Sequence, residues 1–158
     1  MMGEAHAAGT SVVLEVRRSQ PSAAILAAVV EIAQAFDAPL TSLFVEDEAL
    51  RSLACLPCAR EVALSGRHSH GLTLEKLETD FKLAFGSIRH EIEARTRRAS
   101  VRLEQRFVRG DPERALQQAC GAGAVVALAE PLASLDGRRL DRIVSGLDGA
   151  AGYLVAGA

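Results

Sequence analysis

Residues 11–46 read SVVLEVRRSQPSAAILAAVVEIAQAFDAPLTSLFVE, and this stretch decides the fold. Ser11 to Val16 (SVVLEV) is a short, β-branched apolar run, predicted to be a buried strand. Pro21 suits the first turn of a helix, with Ser19 or Gln20 near the cap. Ile25, Val29, Ile32 and Phe36 then recur at helical spacing, and Asp37-Ala38-Pro39 ends the helix. Leu40 to Glu46 (LTSLFVE) is a second strand. Strand, helix and strand in this order form a βαβ unit, whose two strands run parallel.

The same grammar continues outward. Asp47 to Gly71 is irregular, with a short helix expected over Glu48 to Ala54, then Pro57, then a loop from Gly66 to Gly71. A long helix is predicted over Thr73 to Ala99, because Leu74, Leu77, Phe81, Ala84, Phe85, Ile88 and Ile92 form one apolar stripe. Ser100 to Val108 alternates around Val101, Leu103 and Phe107 and reads as a third strand. Gly110-Asp111-Pro112-Glu113 opens a helix: Asp caps, Pro takes the first turn, and Glu complements the dipole. That helix stops at Gly121. Ala124 to Ala129 is a fourth strand, Arg138 to Leu147 a helix with Leu140, Ile143, Val144 and Leu147 inward, and Gly152 to Ala156 a fifth strand. The order predicts an α/β protein with a doubly wound, five-stranded parallel sheet between two helical layers.

A chain of 158 residues favours one domain and buries enough surface to need no metal or disulfide for stability. Residues 1–10 are expected to be flexible, with the single domain spanning 11–158. A net charge of −2 gives no global basic field to recruit nucleic acid or an anionic membrane. The longest apolar run, Ala23 to Val30, is too short to span a bilayer. The N-terminus lacks the apolar core of a signal peptide, so a cytoplasmic protein with reduced thiols is expected.

Glu15 is the most unusual residue. It lies inside strand one, which this topology places centrally with both faces covered. A buried carboxylate without a partner is costly. Either a basic side chain reaches it or its surroundings are wet.

Three other patterns carry chemistry in other proteins. Cys55-Leu56-Pro57-Cys58 with His68 and His70 supplies four residues of the types that bind zinc, and the cysteine pair alone suits dithiol chemistry. It sits in the irregular segment instead of opening a helix after a strand, so two small apolar side chains and two surface histidines are the expected reading. Arg89 to Arg109 holds seven arginines against three glutamates. Without interleaved aromatics it reads as a solvated helix surface and not as a nucleic-acid interface. Gly121-Ala122-Gly123 precedes a strand instead of following one, which makes it a helix stop and not a dinucleotide loop. No Ser/His/Asp order or paired-carboxylate site stands out, so a non-catalytic protein without a cofactor is expected.

The chain also resembles a known family, the universal stress proteins. Val12 to Ser22 (VVLEVRRSQPS) resembles their first strand and the turn into the first helix. Leu43 to Asp47 (LFVED) is similar to the end of their second strand, and Phe107 to Leu116 (FVRGDPERAL) to the Gly-x-Pro helix start after the third. Ala124 to Ala129 and Gly152 to Ala156 match strands four and five. The resemblance implies strand order 3-2-1-4-5, often with a homodimer through the last strand. It also implies a ligand site between the ends of strands one and four, where family members that bind ATP carry Gly-x2-Gly-x9-Gly-Ser/Thr.

At that site the chain departs from the pattern. Arg17 and Arg18 stand where an acid and a glycine are expected. In Glu130 to Gly137 (EPLASLDG) the first two glycines are missing and the loop is shortened. Only Gly137-Arg138 matches the end of the motif, with Arg138 replacing the hydroxyl. Glycines let a backbone approach phosphate and turn its N–H groups toward it. A loop with Pro131, Leu132 and Leu135 does not.

Arg17, Arg18, Ser19, Val45, Glu130, Gly137 and Arg138 are the candidate ligand contacts that the resemblance implies. The expected function is a bacterial stress-response or signalling module that works by protein contact with a degenerate ATP site, its crevice narrowed by an Arg17–Glu130 contact. Two alternatives stay open. One is adenine nucleotide or another anion held by Arg17, Arg18, Arg138 and Arg139. The other is a zinc- or thiol-dependent module at Cys55 and Cys58.

Overall fold

The computed structural model describes residues 10–17, 20–62, 66, 69–129, 137–147, 149 and 152–155. Five parallel strands make the main sheet: β1 (Val12–Val16), β2 (Leu40–Asp47), β5 (Leu103–Gly110), β6 (Val125–Leu128) and β7 (Gly152–Val155). Their order is β5-β2-β1-β6-β7, which reads 3-2-1-4-5 when only the strands of this sheet are counted. A short antiparallel pair, β3 (Arg60–Val62) and β4 (Ser69–Gly71), lies outside it. The helices are α1 (Ala23–Ala35), α2 (Glu48–Ala54), α3 (Leu74–Arg98), α4 (Pro112–Ala119) and α5 (Gly137–Gly146).

The alternation of β1 builds the layers. Val12, Leu14 and Val16 turn to the side of α1 and α3 and pack with Ile25, Leu26, Val29, Ile88 and Ile92. Val13 turns to the other side and packs with Leu116 of α4 and Ile143 of α5. A strand covered on both faces needs apolar residues on both, which is why β1 reads as a continuous apolar run. Each of these fully buried side chains contributes roughly 1.5–3 kcal/mol. The same parity places Glu15 on the α4 and α5 side.

Local chemistry sets the helix ends. The Ser22 hydroxyl accepts from the Ile25 N–H at 3.3 Å and caps α1. This corrects the expectation of Ser19 or Gln20, because Pro21 lies before the helix and not in its first turn. Thr73 caps α3 and Asp111 caps α4, with Pro112 as the first helical residue. Asp37 and Ser100 adopt left-handed backbone conformations (φ 48 and 55) where α1 and α3 turn back toward the sheet. The turn at Ser100 delays the third sheet strand to Leu103 instead of Ser100.

The segment expected to be a loop at 66–71 contains β4, which pairs with β3 through Arg60↔Gly71 and Val62↔Ser69. Three-residue strands with exposed faces leave no periodic signal. Lys76 of α3 donates to Glu61 at 3.2 Å and Arg51 of α2 bridges Glu46 and Glu78, which fastens this excursion to the body. Ala54, Leu72, Leu77 and Phe81 form a small separate core beneath it. Phe107, one of the apolar residues in the alternation of this strand, is 56% exposed on β5, an edge strand. No described helix is long and apolar enough to cross a membrane.

Candidate functional site

From β1 the chain steps outward to β2 and β5, then returns to the opposite side of β1 for β6 and β7. In sheets of this kind ligands bind outside the carboxyl ends of the strands, where the order reverses. At that crest stand Arg17 after β1, Asp47 at the end of β2, Gly110 at the end of β5, and the first turns of α4 and α5.

Glu15 lies just below the crest, with 1% of its surface exposed. Arg139, in the first turn of α5, is 8% exposed and donates through Nη2 to both carboxylate oxygens, at 3.3 Å to Oε1 and 3.1 Å to Oε2. Arg17 approaches the same carboxylate, its Nε 3.8 Å from Oε1, and its Nη2 donates to Asp47 Oδ2 at 3.4 Å. A basic partner therefore reaches Glu15, which is the first of the two outcomes its position allowed. Bonding two buried opposite charges to each other offsets part of the desolvation cost that either would bear alone. The Glu15 charge is also felt by Cys120, whose thiol is pushed up to about 11 by burial and then by the neighbouring carboxylate.

Above this pair opens a cavity of about 510 Å³. Arg17, Arg139 and Arg142 line it against Asp47, Glu48, Asp111 and Glu113, so three guanidinium groups face four carboxylates. Three of the four acids are engaged. Asp47 Oδ1 accepts the Ala49 N–H at 2.9 Å as the α2 cap, and Asp111 Oδ1 accepts the Arg114 N–H at 3.0 Å as the α4 cap. Glu113 receives Arg142 Nε at 3.0 and 3.2 Å. The N-termini of α2 and α4, a position that elsewhere binds phosphate, are thus satisfied by the chain's own carboxylates.

No family model matches the sequence, and no curated protein matches it. Solved structures do match, over nearly the full length of both chains. A universal stress protein family member from Burkholderia pseudomallei is 19% identical, covers 94% of this chain and 96% of its own, and superposes with a TM-score of 0.60. The chain has the universal stress protein fold. A universal stress protein solved in complex with cAMP is 18% identical, with coverage of 96% and 98% and a TM-score of 0.53. UspA from Lactobacillus plantarum is 16% identical, with coverage of 94% and 99% and a TM-score of 0.53.

On the universal stress protein fold the expected contacts fall as follows. Arg17 is at the crest, held by Asp47 and close to Glu15. Val45 is buried in β2, packed toward α4 and α5. Gly137 opens α5, and Arg138 is exposed. Arg18, Ser19, Glu130 and His68 lie outside the described residues, and so does the expected Arg17–Glu130 contact. Arg139 bonds Glu15, and Asp136, like Glu130, lies outside the described residues.

The sequence held a signal for that pairing. Arg139 precedes the buried Ile143 and Leu147 by four and eight residues, so it extends the inward stripe of α5 by one turn. Cys55 and Cys58 are free and exposed, the first capping α2, and among the described residues no group of three His, Cys, Asp or Glu side chains is placed to hold a metal. The glutamates of the arginine-rich stretch are all engaged: Glu93 by Arg89 at 2.9 Å, Glu91 by Arg95 at 3.0 Å and Glu104 by Arg106 at 2.8 Å.

Proposed function

We propose that the protein is a non-catalytic, universal-stress-protein-like module of a bacterial stress or signalling response that works through protein contact, with its nucleotide crest closed to ATP. The observation that carries this reading is the Arg139–Glu15 bond. It commits the arginine at the start of α5 to an internal carboxylate, at the place where a phosphate-binding loop would deliver backbone N–H groups. The four carboxylates around the cavity add repulsion toward a polyanion. A cytoplasmic location and a homodimer through β7 belong to the same reading.

A second reading is favoured by one observation. A structure of this fold was solved in complex with cAMP, and the crest cavity here carries three arginines. A nucleotide with a single phosphate charge meets less repulsion there than ATP. Calorimetric titration with ATP and with cAMP, together with ion-exchange analysis of the supernatant after denaturing freshly purified protein, decides between them. The protein-contact reading expects no adenine peak and no heat from either ligand. Stoichiometric ATP would sink both readings, and saturable binding of cAMP alone would establish the second.

A further inference from the structure

The main sheet has two open edges, β5 and β7, and among the described residues no strand covers the outer side of β5. Natural edge strands are usually kept short or protected by Pro, Lys or a bulge. β5 runs for eight residues, Leu103–Gly110, in unbroken register with β2, without Pro, Lys or a bulge, and its charges, Glu104, Arg106 and Arg109, are of both signs. The Leu40 N–H donates to the Arg102 carbonyl at 2.9 Å. By strand alternation, Arg102, Glu104, Arg106 and Val108 turn their backbone groups toward β2, while Leu103, Gln105, Phe107 and Arg109 present theirs outward.

We propose that a second copy of this chain docks here, β5 against β5 in antiparallel fashion, about a two-fold axis at Gln105. Outward-facing residues must oppose outward-facing residues, so the allowed registers differ in steps of two. With the axis at Gln105, Glu104 lies opposite Arg106 of the second copy and Arg106 opposite its Glu104. Both side chains are about half exposed on the α4 side and are bonded to each other at 2.8 Å within the strand, so docking exchanges or extends that pair across the axis. On the α3 side, Leu103 of each copy meets Phe107 of the other. Phe107 is 56% exposed and stacked on Phe44 at 4.8 Å, a ring already held in place.

The neighbouring registers fail on charge. An axis at Arg106 sets Arg106 against Arg106, and one at Glu104 sets Glu104 against Glu104 with Arg102 against Arg106. An interface in which the same patch serves both copies is two-fold symmetric, and this contact is separate from the one through β7 in the proposed function.

Charge reversal tests this independently of the crest. Glu104→Arg and Arg106→Glu each place like charges across the axis, twice per interface, and the double variant Glu104→Arg/Arg106→Glu restores opposite charges with the polarity inverted. Sedimentation across a concentration series, with circular dichroism confirming the fold, reads the result. Each single variant is expected to weaken association about tenfold or more and to lower the assembled mass. The double variant is expected to recover the wild-type mass, and the two single variants mixed are expected to form a heterodimer. A wild-type chain that is monomeric throughout overturns the proposal. So does an assembled mass that ignores the single reversals, as contact through β7 alone would, or a double variant that stays dissociated.

Discussion

Arg139 Nη2 lies 3.1 Å from Glu15 Oε2, joining the first turn of the last helix to the first strand beneath the crest. The pair is buried, so its two charges are not exchangeable for two hydrogen bonds to water. Replacing Glu15 by Leu removes the buried carboxylate that Arg139 bonds, and replacing Arg139 by Met removes the closest described cation from Glu15 and leaves Arg17 at 3.8 Å. Each single variant is expected to lose about 3–5 kcal/mol of unfolding free energy in urea titrations. The double variant Glu15→Leu/Arg139→Met is expected to lose much less than the sum, and a cycle with no coupling would show that the contact carries no weight.

Acid sensitivity is expected from Glu46. Burial raises its carboxyl, but hydrogen bonds from Arg51 and Arg109 more than reverse this and hold it below the ordinary value of 4.5. A carboxylate lowered in the folded state stabilises fully above its unfolded value and loses that contribution as pH falls through the folded value. The melting temperature of wild type should therefore exceed that of Glu46→Gln near neutral pH, and the gap should close below about pH 4.5. A gap that widens in acid would refute the assignment.

Thiol reactivity should divide the cysteines. Cys55 and Cys58 are exposed, whereas Cys120 is half-buried with its thiol raised to about 11 by burial and by Glu15. At mildly alkaline pH a disulfide reagent should titrate Cys55 and Cys58 quickly and Cys120 only on unfolding, since the thiolate is the reactive form. Glu15→Gln removes the second cause and should quicken Cys120 if the fold persists. Fast reaction of Cys120 in the wild type would contradict its placement.

Helix α4 depends on its cap. Asp111 accepts the Arg114 N–H at 3.0 Å, and Pro112 follows as the first helical residue. Asp111→Ala is expected to cost about 1 kcal/mol by thermal denaturation. Asp111→Asn should retain most of that stability, because the side-chain oxygen is the accepting group.

Much of the architecture was legible because burial writes itself into residue spacing. The run Val12–Val16, the four-residue rhythm of α1 and α3 and the Asp111-Pro112 cap each state a local preference that agrees with the whole. The pair β3 and β4 was invisible because three exposed residues per strand carry no period. The cap at Ser22 was misplaced because Pro21 serves equally well just before a helix as inside its first turn.

At the crest, Arg17 was found by its position after β1. Glu15 was recognised as needing a partner, but its identity depends on how α5 is rotated over the sheet. The spacing Arg139, Ile143, Leu147 contained that rotation. The arginine was read with its charged neighbours instead of with the apolar residues one and two turns ahead.

The bond between Glu15 and Arg139 spans 124 residues of chain. On a ribosome adding 5–20 residues per second, Glu15 is made about 6 to 25 seconds before the guanidinium that neutralises it. During that interval the β1–α1–β2 unit is available to collapse, but closing its α4 and α5 face would bury the carboxylate before its hydrogen-bonded guanidinium exists, with Arg17 at 3.8 Å beside it. Burial of that side of the sheet is thereby coupled to the last helix, which supplies the guanidinium that bonds Glu15.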